Sequence, residues 1–244
     1  SILEAVYLAS NGKSFKTNKL SEAIQAGENE STISALFSDH KITIHQNKQA
    51  LKKIKINNAD KKIKDLIGKN PTVLVSPEEE KITKGPHLER RKYFNRLFST
   101  VSQAYLSNLV NYSAAIKNRN SLLKQKKTKN EIEIWNEPVA KYGSLVWLEK
   151  QQLEKIFNKE LGVVCNKYGN NIKININSDI PTNKTKTGLL EQLQNSINKE
   201  ILIGRTLCGP HSDKYNILFN NKKLRVFGSQ GEHKLSFVII KILF

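Results

Sequence analysis

The residues best suited to handle an anion lie near the end of the chain, at Ser229-Gln230-Gly231-Glu232. Before them, Tyr215 to Phe219 and Lys223 to Phe227 alternate apolar and polar residues around Asn220-Asn221, which predicts a hairpin with a tight turn. After them, Leu235, Val238, Ile239 and Ile242 recur at helical spacing, so Ser229 stands at a helix N-cap. A helix N-terminus presents unpaired backbone N–H groups and the positive end of a dipole, which suit a phosphate. Gly228 and Gly231 would let the backbone approach it closely. The same spacing is also a capping box, in which Ser229 and Glu232 satisfy those groups with no ligand. The spacing leaves both readings open.

Other residues offer chemistry in smaller amounts. Lys13, Ser14, Lys16, Thr17 and Lys19 form a polar loop that either touches DNA phosphate or is a solvated turn. Lys41, Lys48, Lys52, Lys53 and Lys55, followed by Lys61, Lys62 and Lys64, make the densest positive patch, read either as a phosphate-binding surface or as a solubility device. Arg90 and Arg91 can clamp phosphate or carboxylate, or lock two parts of the fold together. His211 is a candidate general base or a turn residue with a satisfied hydrogen bond. Cys165 and Cys208 lack metal spacing and suggest reduced thiols, and no complete metal site or nucleophile elbow is visible.

These residues need a mixed scaffold. Ile2, Leu3, Val6 and Leu8 predict the apolar face of an opening helix. The runs Ile33 to Phe37, Ile42 with Ile44, and Ile54 with Ile56 predict an antiparallel meander. Pro71 to Val75 reads as a short buried strand, and Ser76-Pro77-Glu78-Glu79-Glu80 as a helix start. Residues 102–126 predict a helix with a seam at Leu106, Leu109, Ser113, Ile116, Asn120 and Leu123. A second seam runs through Trp135, Val139, Tyr142, Val146, Leu153 and Phe157, so the pair predicts an antiparallel helical hairpin. Pro138 kinks or starts the second helix. Asn171 to Asn177 reads as a strand, and Leu189, Leu190, Leu193 and Ile197 as a helix.

With 40 Lys+Arg against 22 Asp+Glu, the chain carries a formal charge of +18, which favours polyanion partners. At 38% hydrophobic it can bury a core, and no apolar run is long enough to span a membrane. No secretory signal is visible, and the expected location is cytoplasmic. The chain has no Met, opens on Ser1 inside a helical pattern and stops at Phe244 in another, which leads us to expect a piece of a longer protein.

Gly228-Ser229-Gln230-Gly231 before an amphipathic helix resembles the signature motif of ATP-binding cassette ATPases, in the form used by the RecF family. Three further stretches match that family in order. They are Ser1 to Leu8 with Gly12-Lys13-Ser14-Phe15-Lys16-Thr17; Ser76-Pro77-Glu78 with Lys84-Gly85-Pro86 and Arg90 to Asn95; and Arg205-Thr206 with Gly209-Pro210-His211 and Asp213. The sequence departs from the family pattern at His87, Asn95, Ser212, Lys214, Glu232 and His233.

The resemblance implies an α+β fold: a partial ATP-binding cassette head with an antiparallel β meander and a helical second lobe containing the short helical hairpin. Its expected parts are residues 1–76, 77–200 and 201–244, with a phosphate-binding P-loop before Ser1 and an acidic Walker B strand beyond Phe244. It implies a DNA repair and replication-restart protein that binds single-strand gaps and single-strand/double-strand junctions. It also implies RecO and RecR type partners, recombinase loading, and ATP and Mg²⁺ as cofactors, the magnesium ligands lying outside the chain. Ser229, Gln230 and Gly231 would complete the partner subunit's ATP site in an ATP-dependent homodimer. Lys13, Lys16, Lys52, Lys53 and Lys55 are the candidate DNA contacts. The full-length protein would be a slow DNA-dependent ATPase, and the chain as given is expected not to hydrolyse ATP, because phosphoryl transfer depends on a P-loop lysine, Mg²⁺ and a positioned water. The rivals are another chromosome-maintenance ATPase, or a basic nucleic-acid-binding module without nucleotide chemistry.

Overall fold

Alternating isoleucines build the first sheet of the structure, a computed structural model that describes residues 2–17, 19–49, 52–76, 80–169, 172–181 and 183–243. The chain divides into two compact units, Ser1–Val73 and Leu74–Phe244. In the first, β1 (Glu30–Leu36), β2 (Lys41–Asn47), β3 (Lys52–Ile56) and β4 (Ala59–Lys61) form an antiparallel meander in chain order. Ile44 sits opposite both Ile33 and Ile54, so one face is apolar at its centre, with Ser31, Gln46 and Lys52 at one end of it. That face buries Ile42, Ile44, Ile54 and Ile56 with Leu66 and with Leu8 of α1 (Ile2–Asn11). Asn57 and Asn58, both left-handed, form the tight turn into β4, an element absent from the sequence reading.

Two expectations for residues 1–75 need correction. The opening helix forms, but its buried face is Tyr7, Leu8, Ala9 and Ser10, while Ile2 and Leu3 are 84% and 76% exposed. The ring of Phe15 meets Tyr7 edge-on at 5.4 Å and draws that face inward. Pro71 to Val75 is not a strand, and Val73 and Val75 are exposed. Pro71 supplies no N–H, and the run has no ladder partner among the described residues.

The second unit is mainly helical. α2 (Lys81–Lys84), α3 (His87–Val101), α4 (Gln103–Lys124), α5 (Lys129–Glu133) and α6 (Asn136–Tyr168) follow one another. Pro77, Glu78 and Glu79 lie outside the described residues, and so does Asn171. α4 and α6 form the expected antiparallel hairpin. Glu149 in the middle of α6 accepts from Ser102 and Asn108 at the start of α4, whereas Asn136 at the start of α6 bonds Arg119 near the end of α4. Pro138 sits in the first turn of α6 and starts that helix rather than kinking it. The α4 seam is rotated from the expected one: Tyr112 is buried and Ser113 is exposed. In α6 the buried line includes Trp147 and Lys150, which the seam did not contain. Gly143 lets three helices meet, since a Cβ there would lie 2.6 Å from Leu189 and 3.1 Å from Tyr112.

Leu189 belongs to α7 (Lys186–Ile203), which buries Leu193 and Ile197 on the same face. β5 (Ile174–Ser178), β6 (Tyr215–Phe219) and β7 (Lys222–Lys223) make a small antiparallel sheet. α8 (Leu224–Phe227) and α9 (Gln230–Ile242) complete the unit. One core runs through Phe94, Phe98, Tyr105, Trp147, Phe157, Leu193, Tyr215, Phe237 and Ile240, so residues after 200 pack with those before it.

Candidate functional site

The β6–β7 turn forms as expected: Asn220 and Asn221 both take left-handed φ values, 48° and 65°. The strand expected over Lys223 to Phe227 does not form. Only Lys222–Lys223 pairs with β6, and Leu224–Phe227 is one helical turn. This turn buries Leu224, while Val226 and Phe227 stay 67% and 68% exposed. It closes with the Gly228 N–H donating to the Leu224 carbonyl at 2.8 Å, a turn so tight that a Cβ on Gly228 would lie 2.5 Å from that oxygen.

Ser229 is the N-cap of α9, as its position predicts. The Glu232 N–H donates to Ser229 Oγ at 3.3 Å, and the Ser229 N–H donates to Glu232 Oε2 at 2.7 Å. The capping box is therefore closed. It uses the amides of Ser229 and Glu232 and leaves those of Gln230 and Gly231, which have no carbonyl one turn back to bond. Ser229, Gln230 and Gly231 are all exposed. This is a small phosphate-sized donor set with one liability, the Glu232 carboxylate beside it. The face of α9 that packs inward is His233, Ser236, Phe237, Ile239 and Ile240; of the expected line, Ile239 is buried and Leu235 packs against the core, whereas Val238 and Ile242 are exposed. Phe237 and Ile240 join the core of the unit and fix the rotation of the helix. Burial holds the His233 ring below the usual histidine range.

The segment from Arg205 to Asp213 is held by buried polar groups that sequence reasoning did not find. Arg119 Nη1 lies 2.7 Å from Glu200, its Nε donates to Asn136 at 2.9 Å, and both charged side chains are fully buried. The same guanidinium donates to Thr206 Oγ1 at 2.7 Å, and the Leu207 N–H donates to Glu200 at 2.7 Å. Lys150 pairs with Asp213, which also accepts from the Trp147 indole. Burial pushes the Asp213 carboxyl up and the Lys150 ammonium down. A charged residue inside an apolar helical face, as at Arg119 and Lys150, was the available signal.

His211 is the satisfied turn residue, not a base. Its Nε2–H donates to the Thr206 carbonyl at 3.1 Å, and its Nδ1 accepts from the Tyr112 hydroxyl at 2.6 Å. Arg91 donates to the Asp213 carbonyl at 2.9 Å, and Arg90 to the carbonyls of Tyr215 and Gly85 at 2.7 and 2.8 Å, so the arginine pair braces β6. Cys165 and Cys208 are free, and burial raises both thiols. Among the described residues, no group of three or more His, Cys, Asp or Glu side chains could hold a metal ion, and no helix is long and apolar enough to cross a membrane.

The candidate DNA contacts lie in the first unit and do not share one face. Lys53 and Lys55 project from the exposed face of β3, opposite His45 and Thr43 of β2. Lys41 shares that face. Lys52 lies on the other face, half-buried, with its ammonium on the Gly12 carbonyl and its pKa pushed down by burial. Lys13 and Lys16 are exposed in the loop after α1, where Lys16 lies 3.7 Å from Glu4.

Comparisons with known proteins bear on this arrangement. No protein-family model matches the chain. It is 33% identical over 255 residues to the DNA replication and repair protein RecF of Clostridium novyi, covering 99% of this chain and 70% of that protein. The RecF of Chlamydia muridarum is likewise 33% identical over 254 residues, covering 98% and 68%. Two solved structures, described as the recombination mediator protein RecF-ATP and RecF-ATPrS in the RecFOR pathway, superpose with TM-scores of 0.88 and 0.85 at 28% identity. They cover 99% of this chain and 69% and 70% of those chains. Shared over nearly its whole length in sequence and in backbone course, this chain belongs to the RecF family.

Proposed function

We propose that this chain serves DNA repair and replication restart as part of an ATP-responsive protein. That protein binds single-strand gaps and single-strand/double-strand junctions and works with RecO and RecR type mediators to help load recombinase. The observation that carries this reading is the exposed start of α9. Gln230 and Gly231 keep uncommitted amides there, beside the Ser229 hydroxyl. These groups fit the terminal phosphate of a nucleotide held by a second subunit. ATP would supply the anion that draws two subunits together; this chain would supply donors and a positive helix end. Glu232, kept on the Ser229 amide by the capping box, is held in a position that spares the phosphate a free carboxylate. The described residues offer magnesium no acidic cluster. The exposed lysines of the meander would add sequence-independent attraction to the DNA backbone.

The test uses the full-length protein. Ser229→Ala removes only the cap, at about 0.5–2 kcal/mol to the helix. Ser229→Arg fills the space in front of the two free amides. The arginine variant should bind ATP as the parent does and fail to dimerise with it, read by nucleotide titration beside light scattering with and without ATP. An arginine variant that still dimerises with ATP reduces Ser229 to a helix cap and overturns the role in trans.

A further inference from the structure

A cleft of about 140 Å³ opens in the second unit between α2–α3 and the β6–α8 region. It is lined by Thr83, His87, Arg90, Asn216, Ile217, Lys223, Arg225 and Val226. Three cationic side chains and a histidine enter it, and no carboxylate is among its described lining residues. We infer that this cleft binds a single phosphate group.

Arg90 is the buried cation of the cleft. Its side chain is 2% exposed, and no acidic group pairs with it among the described residues. Its Nε and Nη1 donate to the carbonyls of Tyr215 and Gly85. Its Nη2 lies 3.2 Å from His87 Nδ1, but that same nitrogen lies 2.9 Å from the Tyr215 carbonyl. One ring nitrogen cannot donate to the carbonyl and accept from the guanidinium at once. Whichever way the ring is protonated, one of the two contacts is frustrated, and an incoming oxyanion beside Nη2 relieves it. A buried cation without a counter-charge is costly, and nearby like charge makes it more so. Arg225 is near enough to disfavour the charge of both Arg90 and His87. Lys223 and Arg225 are exposed, and their side chains make no hydrogen bond or ion pair among the described residues, so both are available to swing onto a ligand. The Asn216 side chain adds a neutral donor at the wall.

The chemistry favours phosphate over carboxylate. Three cationic side chains line a space that admits one small group, which suits a tetrahedral anion with several acceptor oxygens better than a planar carboxylate. Two sources share this chemistry: inorganic phosphate, and a phosphate on a nucleic-acid strand. The site is separate from the start of α9 and from the meander lysines, so the inference does not rest on the function proposed above.

The test titrates the full chain with inorganic phosphate by calorimetry at constant ionic strength, beside sodium acetate. Phosphate should bind with one saturable site, and Lys223→Ala/Arg225→Ala should weaken it by about tenfold or more, since two charge-assisted contacts are lost. Lys53→Ala, in the other unit, should leave it unchanged. Both altered cleft residues are exposed, and a matching thermal melt shows that the double variant folds. A short single-stranded oligonucleotide then separates the sources. If it displaces phosphate from the parent, the cleft takes a strand phosphate; if phosphate stays bound, the ligand is the free anion. Equal binding of acetate, or a double variant that binds phosphate like the parent, overturns the inference.

Discussion

The placement of three lysines leads to a sharp prediction about DNA affinity. Lys52, Lys53 and Lys55 are adjacent in sequence but not in role: Lys53 and Lys55 project from the exposed face of β3, while Lys52 spends its ammonium on the Gly12 carbonyl. If phosphates are neutralised here, each contact contributes about 0.9 to the slope of log K against log salt on duplex DNA. Lys53→Ala/Lys55→Ala should therefore flatten the slope by about 1.8. Asp60 stands directly across from Lys55 in the ladder and competes for its charge, which sets the lower bound near one contact, about 0.9. Between about 50 and 200 mM salt the full effect amounts to roughly tenfold less loss of affinity than the parent shows. Lys52→Ala should leave the slope unchanged. Fluorescence anisotropy of a labelled duplex across that salt range reads both variants. An unchanged slope in the double variant, or an equal flattening by Lys52→Ala, would refute the reasoning.

Two further outcomes follow from the buried groups of the second unit. Arg119→Met leaves Glu200 buried without its partner and should destabilise folding by about 3–5 kcal/mol, while adding Glu200→Gln removes the stranded charge and should recover at least about 1 kcal/mol; urea unfolding measures both, and a single variant within about 0.5 kcal/mol of the parent would count against the buried pair. Burial, with Arg91 and Arg119 nearby and Glu200 opposing them, holds His211 below its ordinary pKa, so the folded chain resists a proton that the unfolded chain accepts. Stability from this group is complete above about pH 6.5 and declines as pH falls, by up to about 1.4 kcal/mol per unit; urea midpoints that fail to drop between pH 7.5 and 5.5, or a drop that His211→Gln leaves equally steep, would contradict this.

Local pattern carried much of this molecule. The meander is legible because Ile42, Ile44, Ile54 and Ile56 alternate, and a period of two leaves only one way to bury them together. The turn at Asn220-Asn221 and the capping box at Ser229 and Glu232 are legible because both depend on residues within four positions of each other. The helical hairpin is legible from its two apolar seams. Tertiary structure decided the rest. The strand expected over Lys223 to Phe227 became a helical turn because burying Leu224 and reversing into α9 mattered more than local alternation. The rotation of α1, α4 and α9 was set by what each packs against, and an error of one position in a helical face turns it by about 100°. Arg119 meets Glu200, Lys150 meets Asp213, and Arg90 meets the carbonyl of Tyr215 across long stretches of chain. No periodicity announces such pairs, because their partners are chosen by the fold rather than by neighbours in sequence. The same holds for Lys52, whose strand position looks like that of any exposed lysine until the Gly12 carbonyl is brought beside it.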